Sequence, residues 1–210
     1  MRRNNHRRNG KNGLRSATAS GARDSAVKDG LPQARELTAV LPPPRKLAPA
    51  PELPRHLVEV ATKYGMTDAS GAALLSKIPS LGVQNAREVR VSALYEIVGK
   101  LTVNQVHQLS RELLSDPVTQ EYRVERAMPS PAFLMGPHWR LEVWLKPALA
   151  DPVGESVRKA VRDMGLPEPA RVRTGTAYHI LGRVNKAQVG SILEKLLSNP
   201  LIHKLKVIQR

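Results

Sequence analysis

A lysine, an aspartate five residues on and a glycine three beyond that occur twice in this chain of 210 residues, as Lys63, Asp68 and Gly71 and again as Lys146, Asp151 and Gly154. A cation and a carboxylate this close could hold an anionic ligand or act as an acid–base pair. The same residues have a structural reading. An aspartate ahead of a helix accepts hydrogen bonds from first-turn amides, and the proline of Asp151-Pro152 suits that first turn. The structural reading is the expected one, with the lysine a loop cation; the functional alternative is a loop, Pro147 included, that presents charge to a partner. Tyr95 and Tyr178 also recur and are read as sheet core with the hydroxyl at the rim, or as contact residues. Arg90 and Arg173 are read as a solvated strand face.

Other chemistry is hard to place. The six histidines, His6, His56, His107, His138, His179 and His203, have no metal-ligand spacing, and His179 is expected to be a surface or hydrogen-bond-satisfied residue. With no cysteine, thiolate zinc sites, iron–sulfur clusters, disulfides and cysteine nucleophiles are excluded. No GxxxxGK[ST] or GxGxxG phosphate loop and no GxSxG elbow occurs. No catalytic, cofactor-binding or metal site is therefore expected on this chain.

The net charge of +15 invites a nucleic-acid reading, but its distribution is uneven. Residues 1–55 hold 12 Lys/Arg against 4 Asp/Glu, a net of +8, and the other 155 residues hold 21 against 14, a net of +7. The first 55 residues, rich in Arg, Asn, Gly and Ser and then in proline, are expected to be a disordered basic leader. Seven aromatic residues are few for a single-strand stacking surface. No apolar run reaches 18 residues, and a cytoplasmic location is expected.

The elements that must position these residues come from an internal repeat. Sliding the chain by 83 positions without a gap gives eighteen identities over residues 58–124, from Glu59/Glu142 to Val124/Val207. The second copy opens on the alternating run Leu141-Glu142-Val143-Trp144-Leu145, a half-buried strand. Val157, Ala160, Val161 and Met164 then form one helical stripe ended by Gly165. Arg171–Thr174 and Tyr178–Leu181 read as two strands about a Gly175-Thr176 turn. Asn185 with Gln188 caps a second helix, Pro200 follows its end, and a last strand runs from Lys204 to Ile208. The resulting fold class is α+β: two tandem βαββαβ, ferredoxin-like units with antiparallel sheets forming a pseudo-dimer. The expected divisions are 1–55 leader, 56–126 first repeat, 127–139 linker anchored by Phe133 or Trp139, and 140–210 second repeat. Trp144 and Leu181 are placed on the sheet face that the helices leave bare.

The runs LEVWLKPALADPVGESVRKAVRDMG, ARVRTGTAYHILGRV and EKLLSNPLIHKLKVI resemble PurS, the small accessory subunit of phosphoribosylformylglycinamidine (FGAM) synthase. Tandem copies are similar to the N-terminal region of the long single-chain synthase. The first copy departs from the pattern at Tyr64, Ala69 and Ser92. The resemblance implies purine biosynthesis, in which formylglycinamide ribonucleotide, glutamine and ATP give the amidine. It implies a non-catalytic module of a C–N ligase complex, bridging a synthetase large subunit that binds ATP and Mg and a glutaminase subunit. The rival readings are a nucleic-acid-binding protein with a basic arm, and a small-molecule-binding regulatory domain of ferredoxin-like fold.

Overall fold

The structure, a computed structural model, describes residues 52–125 and 130–209. All but the last four residues of the expected leader lie outside these, as do residues 127–129 of the expected linker. In order come β1 (Arg55–Thr62), α1 (Ala69–Lys77), β2 (Ala86–Val98), α2 (Val103–Leu109) and β3 (Gln120–Val124), then β4 (Trp139–Leu145), α3 (Pro152–Asp163), β5 (Arg171–Gly182), α4 (Lys186–Ile192) and β6 (His203–Gln209). The strands form one antiparallel sheet ordered β3-β1-β2-β5-β4-β6. The α+β class, the tandem units and the pseudo-dimer are as expected from the sequence.

One local expectation fails. There is no turn at Gly175-Thr176; β5 runs straight through, and β2 does the same through Ser92 and Ala93. Glycine stands at 175 because the Trp144 ring lies against the strand there. A Cβ at that position would come 2.7 Å from ring atoms of Trp144.

The repeat is also the symmetry of the sheet. β2 and β5 pair along their length, and one rung of that pairing is Ala93↔Thr176, residues that occupy the same place in the two copies. The flanking rungs Tyr95↔Thr174 and Val91↔Tyr178 are each other's equivalents. An approximate two-fold axis therefore passes through that central rung, and the sheet joins the copies without a seam.

The helices cover one face, and they do so across the repeat. One core joins Leu74 and Ile78 from the first copy to Leu141, Ile180, Val189 and Ile192 from the second. The other joins Val58, Ile97, Val106 and Leu109 from the first to Val157, Val161 and Val172 from the second. Each fully buried aliphatic side chain contributes about 1.5–3 kcal/mol. Neither copy holds a whole core.

Helix packing on the sheet is close enough to select glycine. A Cβ on Gly154 would lie 2.5 Å from the carbonyl oxygen of Val172, and Gly71 faces Val89 in the same way. In α4, Gly190 meets nothing within 4 Å. Gly154→Ala is expected to cost about 3 kcal/mol, an overpacking penalty. Gly190→Ala should be neutral or stabilise by up to about 1 kcal/mol, because alanine is the better helix former. Urea melts of both variants check this; equal effects at the two positions would contradict the close approach.

Candidate functional site

The recurring lysine, aspartate and glycine meet in the structure, and they are used up there. Asp151 accepts from the amide of Gly154 through Oδ1 at 2.8 Å, capping α3. Its Oδ2 accepts from the amide of Thr174 at 2.6 Å. Asp68 repeats this with Gly71 at 2.9 Å and the amide of Val91 at 2.7 Å. Val91 lies just past the last rung with β1, so the carboxylate takes the place of a missing strand partner. Lys63 Nζ donates to the carbonyl of Pro117 at 2.5 Å, and Lys146 Nζ to that of Pro200 at 2.7 Å. Each lysine thus ties the strand end to the loop after the second helix of its copy. Pro147 is exposed beside this joint.

Tyr95 and Tyr178 pack half-buried against the two cores. Burial pushes both phenols up, slightly offset at Tyr178 by a hydrogen bond with Thr176. Arg90 and Arg173 correct the expectation of a solvated face. Arg90 is buried and donates to the carbonyl of Thr62 at 2.5 Å. Arg173 donates to that of Leu145 at 2.8 Å. Both close the last carbonyls of the first strand of their copy, just past its last rung with the central strand, β2 or β5.

The most polar buried group lies on the helix-free face and was not legible in the sequence. Glu59 from β1 is fully buried. Its Oε1 accepts from Arg140 Nη1 at 2.6 Å and Ser92 Oγ at 2.6 Å, and lies 2.9 Å from His179 Nε2. Its Oε2 accepts from Arg123 Nη2 at 2.7 Å and Nε at 2.9 Å. Arg140 Nε donates on to Glu142 at 2.8 Å. His179 Nδ1 faces His138 Nε2 at 3.2 Å. Two carboxylates and two guanidiniums balance, so His179 is most stable neutral.

Phe133 closes this cluster from above. The linker forms a 3-10 turn, Pro131–Phe133, with Ser130 hydrogen-bonded to the amide of Ala132 and to Glu121. The ring sits 4.1 Å from the Arg123 guanidinium carbon, packed on Ala61 and edge-on to His179. The expected anchor role of Phe133 is thus filled, and Trp139 is buried too, donating from Nε1 to the carbonyl of Val184 at 2.7 Å.

What this arrangement can do chemically is narrow. The cluster is sealed from solvent, and among the described residues no group of three or more His, Asp or Glu could hold a metal ion. It joins the copies: Glu59 and Arg123 come from the first, Arg140, Glu142 and His179 from the second. No short-range motif could have revealed it, since Glu59 and His179 are 120 residues apart. The remaining sequence signal was the unequal pair Glu96/His179, different residue types at one repeat position.

On the same face, an open basin of about 360 Å³ lies between Leu57, Glu96 and Glu125 of the first copy and Glu142, Trp144 and Lys206 of the second. Trp144 lies there as expected, its Nε1 donating to Glu142 at 3.2 Å.

The family model PurS, described as phosphoribosylformylglycinamidine (FGAM) synthase, matches residues 55–127 and 138–209. Among solved structures, PurS of Methanocaldococcus jannaschii is similar. It is described as one of the subunits of formylglycinamide ribonucleotide amidotransferase in the purine biosynthetic pathway. The match is 24% identical, covers 36% of this chain and 96% of that one, and has a TM-score of 0.33. No curated protein matches the chain.

Burial drives His179 down to about 4, against the pull of Glu59, while the unfolded residue titrates near 6.5. Between those values unfolding takes up a proton that the folded state refuses. Stability is therefore whole above about pH 6.5 and falls as pH drops, by up to about 3 kcal/mol. For Glu59 burial pushes upward, but the His179 hydrogen bond and the Arg140 charge hold the carboxyl well below its usual range. Its contribution is present above the unfolded pKa and is lost at more acidic pH. Urea melts from pH 7.5 to 4 should show this slope, and H179Q should flatten it; an unchanged slope would show that His179 is not the titrating group.

Proposed function

The chain belongs to the PurS family, and from that premise we propose that it is a non-catalytic assembly module of FGAM synthase, bridging the synthetase and glutaminase parts. The family links it to FGAM synthase of purine biosynthesis. The bridging role is supported by one observation above all. The side chains that recur and look chemical, Lys63, Asp68, Lys146 and Asp151, are spent on joints between strand, helix and loop. What a partner can meet is surface, chiefly the helix-free face and the loops beside Pro147.

In this reading ATP and Mg are bound by the synthetase, the glutaminase releases ammonia, and this chain fixes their geometry. Such holding acts through proximity, which can lower a barrier without supplying a reacting group. Among the described residues no helix is long and apolar enough to cross a membrane, and a cytoplasmic location beside the partner subunits is part of the same proposal.

The test is co-purification of the chain with synthetase and glutaminase, with glutamine-dependent amidation measured with and without it. The expected outcome is a ternary complex, and glutamine-dependent turnover at least tenfold lower when the chain is omitted. Ammonia-dependent turnover by the synthetase alone should change much less. Absence of any complex together with unchanged turnover would overturn the proposal.

A further inference from the structure

The approximate two-fold axis maps the sealed Glu59 cluster onto the open basin. Advancing each residue by one repeat, Glu59 becomes Glu142, Arg123 becomes Lys206, Glu121 becomes Lys204 and Ala61 becomes Trp144. The first of these two places is covered by the chain's own turn, Ser130 to Phe133. The second has the same frame with different side chains, and those differences say what its cover must look like.

Two differences decide it. At Glu121 a carboxylate meets the Ser130 hydroxyl; at the equivalent place stands the ammonium of Lys204, so the group opposite it has to be an acceptor, best a carboxylate. At Ala61 the small side chain leaves room for the Phe133 ring. Trp144 instead fills that volume, lying against Gly175 with Arg173 5.7 Å from its ring. The cover there has to be thin and apolar, of proline or alanine size. Trp144 is half-buried and shows part of its ring in the basin, and proline on such a ring is a well-known match of two rigid apolar surfaces.

The charges agree. Arg55 is paired with Glu96 at 3.2 Å and Arg173 lies 3.6 Å from the same carboxylate. Lys204 and Lys206 are exposed and form no ion pair among the described residues. The lining also holds Glu125, which accepts from the amide of Leu57, and Glu142, which accepts from Arg140 and Trp144, so the cationic surplus is small and sits on the Lys204 and Lys206 side. In this chain the residues one repeat before Ser130–Phe133 are Leu47, Ala48, Pro49 and Ala50; the last three are small enough, but none carries a carboxylate.

We infer that the basin around Trp144, Lys204 and Lys206 is the docking seat for a short segment of a partner protein, an acidic residue followed by proline or other small residues. The inference rests on the assembly role proposed above and names the face through which the synthetase is held. The segment repeats over the second copy what Ser130–Phe133 does over the first.

The test uses the full chain and the synthetase subunit, with binding measured by titration at two salt concentrations. The double variant K204E/K206E is expected to weaken binding at least tenfold and to reduce its salt dependence, and Trp144→Ala to weaken it at least fivefold. Lys204 and Lys206 are exposed, so their replacement leaves the fold intact, which an unchanged urea midpoint verifies. Binding by wild type with all variants within twofold of it would overturn the inference and leave the assembly role standing. Failure of wild type to bind would sink the assembly role first. A third measurement follows acrylamide quenching of tryptophan fluorescence, Trp139 being buried. Trp144 should be quenched in the free chain and shielded in the complex. Equal shielding in the free chain would overturn the inference, because residues 1–51 would then occupy the seat themselves.

Discussion

The pairing of β2 with β5 is the constraint on which everything else in this molecule depends. It places equivalent residues, Ala93 and Thr176, opposite one another and so makes the repeat a two-fold. Once that rung is set, α1 must lie beside α4 and α2 beside α3, and each core draws on both copies. A copy alone would expose its share of two half-cores, which a unit of this size cannot offset. The long central strands thus carry both the architecture and most of its cooperativity.

The helix-free face shows how a protein of this kind handles its less favourable side. A buried ion cluster is seldom a net source of stability, because desolvation offsets the attraction. Its value lies in specificity: Glu59 is satisfied only when Arg140, His179 and Arg123 arrive together, from both copies and in one register. Removing one partner would strand charge in a dry site, a loss of about 3–5 kcal/mol. Slipped pairings of the strands would do the same, which favours the single observed register.

Much of this was legible in the sequence, for physical reasons that can be named. The helix caps were, because Asp151 and Asn185 act on amides within three residues of themselves. The repeat was, because close packing at Gly154 and Gly71 admits one residue type in both copies. The unbroken β5 was not: Gly175 reads locally as a turn, and its real reason is the ring of Trp144, thirty-one positions away and across a strand pair. The role of Arg90 and Arg173 was hidden likewise, since the place of a strand's last rung with its central neighbour is a property of the sheet. The Glu59 cluster lay furthest from view, being assembled wholly by long-range register.

Fusion of the copies into one chain has a consequence for counting. A true two-fold dimer shows every surface twice and offers a partner two equal places, or one place on the axis. Here the linker turn lies over one of two equivalent places, with Ala61 beneath it in one copy and Trp144 standing at the matching point in the other. The two halves are therefore no longer interchangeable. A chain built this way can define a single orientation and a one-to-one stoichiometry off its axis, which a symmetric pair of identical subunits cannot.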